Sequence, residues 1–145
     1  MASRVELAWT LAVVVLIAGV GVYSTFLLYN LGQLPPNPVE TVTVIGHRFY
    51  WQFCYQNQTG CGATNASDIP LWAPAGALIQ LNITSTAVVH SFNIPALGVR
   101  LDAIPGRINR IAFTVPNTPG TTYLIQCTEF CGEGHGDMRS LLVVT

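Results

Sequence analysis

The sequence contains no lysine, and only 9% of its 145 residues are charged. Its six basic residues are all arginine and are scattered along the chain, and with seven acidic residues they give a formal net charge of -1. Proteins that bind nucleic acid normally present a basic stripe to the phosphates. Nucleic acid is therefore not expected as a partner. Long helical periodicity is also missing after residue 38, which argues against a helical domain there.

From Leu7 to Tyr29 the sequence is predominantly apolar and carries no charge. At about 1.5 Å per residue it spans roughly 34 Å, slightly more than the ~30 Å hydrocarbon core of a bilayer. A cleaved signal peptide would have a shorter apolar run followed by a small-residue cleavage site, so we predict an uncleaved transmembrane anchor over residues 1–32. Trp9 lies near one end of this run, where its ring favours the membrane interface. Arg4, the nearest base, predicts a single-pass plasma-membrane protein with a cytoplasmic N-terminus and the rest of the chain outside.

The part after the anchor has the pattern of a β domain. Prolines in QLPPNP predict an extended linker over residues 33–38, followed by one domain over residues 39–145. Short runs alternate between apolar and polar residues and are separated by Gly, Pro and Asn, as expected for strands with one buried face. About seven short strands favour a Greek-key sandwich or barrel. The candidate strands are TVTVIG, HRFYWQFCY, LIQLNIT, AVVHSFNI, RIAFTV, TTYLIQC and SLLVVT.

Residues 127–138, CTEFCGEGHGDM, concentrate metal-binding side chains in one glycine-containing loop. Two thiols, an imidazole and a thioether are offered by Cys127, Cys131, His135 and Met138. Soft sulfur ligands beside imidazole indicate copper. His90 lies in VVHSFNI on the same alternation as apolar residues, so it is expected to face the interior of the domain and to join this set.

Several kinds of site use part of this ligand set. A disulfide between Cys127 and Cys131 would leave the imidazole and the thioether unexplained. Zinc accepts thiolates and imidazoles but seldom a thioether, and a mononuclear blue-copper site needs only one cysteine. A second cysteine allows two thiolates to bridge two copper ions, each with one histidine and one weak ligand. Such a pair leaves no open position for substrate, which favours electron transfer over bond making.

Two stretches of the sequence resemble a known family. The stretch HSFNIPALGVRLDAIPGRINR, followed by CTEFCGEGHGDM, is similar to subunit II of the haem-copper cytochrome c oxidases. The resemblance implies a cupredoxin-like β domain after one N-terminal transmembrane helix, with a dinuclear CuA centre of two copper ions. It implies bridging thiolates from Cys127 and Cys131, and one histidine on each copper. The implied ligand set is His90, Cys127, the backbone carbonyl of Glu129, Cys131, His135 and Met138.

The resemblance also implies partners. Reduced cytochrome c, or a small copper protein, would give one electron to the copper pair, which would pass it to a haem in subunit I. Subunit I, with its haem and copper B, would reduce oxygen to water, and further small subunits are also expected. Arg100 and Asp102 match positions that face subunit I, with exposed loop charges as the alternative. The carboxylate of Glu129 is a candidate ligand for magnesium at the same boundary.

Two features depart from many family members. This chain has one predicted membrane helix, as in the B-type oxidases, where others have two. Phe49 occupies the position at which many members carry the tryptophan that receives the electron, so Phe49, Tyr50 and Trp51 are candidates for electron entry, with plain strand aromatics as the alternative. In B-type oxidases a glutamate three residues before a tryptophan lies at the mouth of a proton path. Glu6 reproduces that spacing and is a candidate for proton entry, with a simple interfacial acid as the alternative.

Cys54 and Cys61 flank a short polar loop and are not needed if the ligand set above is complete. Outside the cytoplasm a disulfide between them is the natural pairing, and two free thiols are the alternative.

Two other functional classes are alternatives to an oxidase subunit. Nitrous and nitric oxide reductases also use CuA domains, usually fused to a catalytic domain that this sequence does not contain. A membrane-tethered copper carrier would have a flexible site rich in Met or His, whereas this chain has two methionines, one of them the initiator. Relatives that oxidise quinol have lost the copper ligands, and this chain retains them.

Overall fold

A computed structural model of the chain describes residues 3–56, 61 and 69–145. It divides into two compact units, one ending at Leu34 and one running from Pro35 to Thr145. The division falls inside the predicted linker.

The first unit is a single apolar helix, α1, which spans Arg4–Leu31. Among the described residues it is the one helix long and apolar enough to cross a membrane. Its N-terminus is closed by a capping box: the backbone N–H of Glu6 donates to the hydroxyl of Ser3 at 3.2 Å, and the backbone N–H of Ser3 donates to the Glu6 carboxylate at 2.6 Å. Such a box satisfies two N–H groups that have no partner within the helix. None of the described helix residues is buried within the chain.

The second unit is a sandwich of two β-sheets. Across its described residues there are nine strands: β1 Glu40–His47, β2 Tyr50–Tyr55, β3 Leu71–Ala73, β4 Leu78–Ser85, β5 His90–Ile94, β6 Val99–Ala103, β7 Asn109–Thr114, β8 Thr122–Cys127 and β9 Arg139–Val144. One sheet has the order β2-β1-β4-β7, and the other has the order β3-β9-β8-β5-β6. β1 pairs in parallel with β4, and β3 pairs in parallel with β9; the remaining neighbours are antiparallel.

The core lies between the two sheets, and the predicted alternation fills it. On β4, Ile79, Leu81 and Ile83 are fully buried while the residues between them are partly exposed. His90 and Phe92 are likewise fully buried on β5. Because successive side chains of a strand point to opposite faces, alternation predicts which face meets the core. The predicted fold class, a mainly β, cupredoxin-like sandwich after one N-terminal helix, is confirmed.

The strand count of about seven was too low. β3 lies outside the seven candidate strands, because three residues are too few to show periodicity and the strand is defined by its pairing with β9. β6 alternates between buried and exposed residues and was missed although that signal was present. HRFYWQFCY is not one strand: β1 and β2 form a hairpin with His47 paired to Tyr50, and Arg48 and Phe49 make the turn.

Candidate metal centre

Three strand ends bring the candidate ligands together. His90 begins β5 and Cys127 ends β8, and these strands are neighbours in one sheet, with Phe92 opposite Cys127. After Cys127 the chain makes a loop that returns to β9. The backbone N–H of Cys127 donates to the carbonyl of Met138 at 3.1 Å, which closes the loop at its base. The ligand loop, residues 127–138, is therefore held at both ends by the sheet.

The two cysteine sulfurs form the centre of the cluster. The Sγ atoms of Cys127 and Cys131 lie 3.9 Å apart, and both residues are 7% exposed. Both thiols are free, so this structure has no disulfide between them. Nδ1 of His90 lies 3.8 Å from the Cys127 sulfur, and Nδ1 of His135 lies 3.5 Å from the Cys131 sulfur.

A weaker donor stands beside each thiol. The Glu129 carbonyl oxygen is 3.3 Å from the Cys127 sulfur, and the Met138 sulfur is 4.0 Å from the Cys131 sulfur. The cluster thus has two matching halves, each with one thiol, one imidazole nitrogen and one weak donor. All six residues predicted from the sequence contribute an atom to it.

This donor set fits soft metal ions. Two thiols and two imidazoles with a thioether suit copper better than hard cations such as magnesium, which prefer oxygen ligands. The side-chain sulfurs and the His90 ring are buried, so they are shielded from water. Nε2 of His90 is buried without a hydrogen-bond partner among the described residues, while its Nδ1 faces the cluster.

Burial favours the neutral forms of Cys131 and His90 in the absence of metal. Desolvation, and secondarily the neighbouring Cys127, raises the pKa of the Cys131 thiol to about 11. Desolvation, followed by the charge of His135, lowers the pKa of His90. Thiols must lose their protons to bind a metal, so metal binding here would release protons and would be weaker at low pH.

Two residues that the sequence analysis missed lie beside His90, one against its ring and one next to it on β5. Gly46, on β1, lies directly against the imidazole, since a methyl group built on it would lie 2.9 Å from Cδ2 of His90. Ser91, next to His90, is fully buried and receives a hydrogen bond from Nε of Arg100 at 3.2 Å. A glycine within an alternating strand is a signal for such close approach, and the sequence offered it.

The three aromatic candidates for electron entry occupy different environments. Trp51 is buried and makes edge contacts with the rings of His90 and Phe92, at centroid distances of 5.9 and 5.3 Å. Tyr50 is half-buried and stacks on His47, with centroids 4.6 Å apart. Phe49 is half-buried and lies over the ligand loop. Trp51 therefore has a core packing role, whereas Phe49 is the one whose ring contacts the ligand loop.

The side chains of the remaining candidates lie outside the cluster. Arg100, Asp102 and Glu129 are exposed. The Asp102 carbonyl accepts a hydrogen bond from the side chain of Asn109 at 2.7 Å, and its carboxylate faces solvent. Glu6 belongs to the helical unit and its carboxylate is engaged in the capping box.

Cys54 and Cys61 are joined by a disulfide, with an S–S distance of 2.06 Å. Beside it, the Tyr55 hydroxyl accepts a hydrogen bond from the Trp72 N–H at 2.7 Å and donates one to the Trp72 carbonyl at 3.0 Å. These bonds connect β2 of one sheet to β3 of the other. The disulfide and this bond pair therefore reinforce one edge of the sandwich.

Comparison with known proteins matches the β-sandwich unit to one family. The family model for the periplasmic domain of cytochrome c oxidase subunit II matches residues 40–144. Cytochrome c oxidase subunit 2 of Periplaneta americana is 35% identical, and that of Artemia franciscana is 34% identical; each alignment covers 94% of this chain and 65% of the relative. The chain thus spans about two thirds of the length of these curated relatives.

A solved structure agrees with the fold. The crystal structure of the periplasmic domain of subunit II of cytochrome oxidase of Bradyrhizobium japonicum superposes with a TM-score of 0.65 at 28% identity, covering 76% of this chain and 86% of that one. The β sandwich, the gathered copper-type donors and these matches together identify the chain as a member of the cytochrome c oxidase subunit II family.

Proposed function

We propose that this chain is the electron-entry subunit of a haem-copper terminal oxidase, in which a dinuclear CuA centre accepts electrons from a donor protein and passes them to subunit I. The observation that carries this proposal is the pair of buried free thiols 3.9 Å apart, each with an imidazole nitrogen and a weak donor beside it. When bound, two copper ions supply a one-electron couple whose charge is shared through the thiolates.

The protein's own contribution is to hold the six donors in place. The ligand loop is fixed at its base by the bond between Cys127 and Met138, and the backbone N–H of Thr128 donates to the Ser91 carbonyl at 2.9 Å. These bonds connect the loop to the strand that carries His90. Donors held in place by such bonds move little when the charge on a bound metal changes.

Exposed groups around the site support the partners that we propose. Subunit I would meet the side that carries Arg100, Asp102 and Glu129, and the exposed carboxylate of Glu129 would be available to magnesium there. Cytochrome c or a small copper protein would dock over Phe49. Because the chain is nearly neutral, we expect weak steering of a charged donor and a weak dependence of its association rate on salt.

The apolar helix would anchor the chain in the plasma membrane as a single span, with the N-terminus in the cytoplasm and the copper domain outside. Glu6 would lie at the cytoplasmic end. Its carboxylate caps the helix, and proton entry is a second role that we propose for the same group. Ser3→Ala removes the capping hydroxyl but keeps the carboxylate of Glu6. Glu6→Gln should therefore slow turnover of the assembled oxidase, while Ser3→Ala should not. Equal turnover in both variants would leave Glu6 as a cap alone.

The electron-entry role is tested in the assembled oxidase. Replacing Cys131 with Ser should abolish turnover with reduced cytochrome c, while a small reductant that reaches the subunit I haem directly should still support oxygen consumption. Undiminished turnover with cytochrome c would show that electrons enter by another route.

A further inference from the structure

The ring of Phe49 lies against the backbone that links two candidate ligands. Three residues, 132–134, separate Cys131 from His135 in the ligand loop. Phe49 comes from a different part of the chain, the turn between β1 and β2. Its ring covers this three-residue link from one end to the other.

At the two glycines of the link the ring lies too close for an ordinary side-chain contact. A methyl group built on Gly134 would lie 2.5 Å from Cγ and Cδ2 of Phe49, and one built on Gly132 would lie 3.2 Å from Cε1. Carbon atoms at contact are about 3.5–4.0 Å apart. Gly132 also has a φ of 129°, a region that favours glycine. The position of the ring thus requires glycine at residue 134, while the backbone conformation favours glycine at residue 132.

A third glycine of the same loop provides the contrast. A methyl group built on Gly136 would meet nothing within 4 Å, and its φ is not positive. Gly136 is exposed. The close contact with Phe49 is therefore specific to the link and is not shared by every glycine of the loop.

The link beneath the ring sets the position of His135. The backbone N–H of His135 donates to the Gly132 carbonyl at 3.1 Å, and the N–H of Asp137 donates to the Gly134 carbonyl at 3.1 Å. Moving the link away from the ring would therefore move the backbone of His135. The 3.5 Å approach of its Nδ1 to the Cys131 sulfur would change with it.

We propose that Phe49 is a positioning residue of the copper centre: its ring holds the Gly132–Gly134 link against the domain and thereby fixes His135 beside Cys131. This inference rests on the proposed copper function. It gives Phe49 a task distinct from electron entry, because the ring acts on a ligand and need not carry the electron. It also identifies Gly134 as the residue that makes this seating sterically feasible.

The test compares four full-length variants, each loaded with copper in detergent: Gly134→Ala, Gly136→Ala, Phe49→Ala and the double variant Phe49→Ala with Gly134→Ala. Two quantities are measured, the copper hyperfine pattern in EPR and the rate at which a chelator removes copper. Residues that orient metal ligands typically contribute about 10–100-fold in metal affinity. We therefore expect copper loss to accelerate about tenfold or more in Gly134→Ala and in Phe49→Ala, with an altered hyperfine pattern. Gly136→Ala should change the rate by less than about twofold.

The double variant separates positioning from independent packing. Once the ring is absent, the added methyl group has nothing to displace, so the double variant should lose copper no faster than Phe49→Ala. If the two effects instead multiply, or if Gly134→Ala behaves like Gly136→Ala, the positioning role is wrong. Should Gly134→Ala not fold, Phe49→Leu decides: a normal hyperfine pattern and rate in that variant would overturn the proposal. A wild-type chain that binds no copper would overturn the proposed function, and this inference with it.

Discussion

The chain contains two pairs of cysteines, of which one forms a disulfide and the other remains as free thiols. Cys54 and Cys61, seven residues apart, are bonded at 2.06 Å. Cys127 and Cys131 are closer in sequence, at four residues, yet their sulfurs stand 3.9 Å apart as free thiols. Closeness along the chain is therefore not what decides which pair is joined.

The surroundings of the two pairs explain the difference. Cys61 is exposed, and Cys54 lies on β2 at the edge of its sheet. The second pair is buried and held at the base of a closed loop, with imidazole and thioether groups around the sulfurs. The first arrangement reinforces an edge, and the second keeps two sulfurs available to a metal. The same side chain thus serves stability in one region and, in the function we propose, electron transfer in the other.

The largest expected effect is the loss of the metal centre from the buried pair. Cys131→Ser removes one of the two thiolates that we propose bridge the coppers, so the chain should bind at most one copper, without an electron shared between two nuclei. Metal analysis and EPR measure this. As the matched control, replacing both Cys54 and Cys61 with Ser should leave the copper content and the spectrum unchanged. Copper loss in the control would mean that the two pairs are not functionally separate.

The bonded pair should matter for stability instead. Replacing both Cys54 and Cys61 with Ser should lower the free energy of unfolding by about 2 kcal/mol, since a disulfide restricts the unfolded chain. Urea unfolding measures this. Alkylation without reduction of the copper-free wild-type chain, followed by mass spectrometry, should label Cys127 and Cys131 only. Label on both Cys54 and Cys61 would contradict the pairing.

Tyr55, next to Cys54, offers a second test of the reinforced edge. Tyr55→Phe removes the hydroxyl that bonds both backbone groups of Trp72 and should lower the free energy of unfolding by about 1 kcal/mol. Denaturant unfolding of the copper-free protein checks the value. The copper spectrum should not change, because the copper ligands lie on other strands and in the ligand loop. An unchanged stability would show that water replaces these bonds without loss.

The smallest expected effect is a pH dependence of the free energy of unfolding, caused by Cys131 of the buried pair. The pKa of Cys131 is raised from 9.0 to about 11, so the folded copper-free chain holds this proton more tightly than the unfolded chain does. Its contribution to stability is therefore complete below about pH 9 and is lost as the pH rises toward about 11. Between about pH 7.5 and about pH 9.5 the loss should stay below about 1 kcal/mol.

Unfolding curves at these two pH values measure the effect, and Cys131→Ser should reduce it. Tyr55, whose pKa is raised above the ordinary 10.0 chiefly by burial, changes stability in the same direction in both chains. The difference between the wild type and Cys131→Ser therefore isolates the contribution of Cys131. A rise in stability with pH, or an equal slope in Cys131→Ser, would contradict this assignment.

Many of the strands and all of the candidate metal ligands could be predicted from local patterns in the sequence. Alternation identified the buried faces of β4 and β5, and the spacing within residues 127–138 identified the donors that the loop gathers. Both succeed because a strand and a short loop are governed by neighbouring residues. The capping box of Ser3 and Glu6 was also readable, since Ser followed three residues later by Glu before an apolar run is its usual pattern. It was overlooked in favour of a role for Glu6 alone.

What could not be predicted depends on residues distant in sequence. β3 exists through its pairing with β9, and the bonds of Tyr55 join residues 17 positions apart. The contact of Phe49 with Gly134 requires that a hairpin turn and the ligand loop meet in space. Neither local propensity nor periodicity contains that information. The two sheets have to be packed before the ring and the glycine become neighbours.

The most direct test of the central claim is a combined copper count and EPR spectrum of the full-length chain, loaded with copper in detergent and freed of excess metal. The two matching halves of the donor cluster predict two coppers per chain, with a purple colour and a hyperfine pattern from one unpaired electron shared equally between two copper nuclei. One copper per chain, with the hyperfine pattern of a single nucleus, would contradict the dinuclear centre and with it the account of why Cys127 and Cys131 are kept apart.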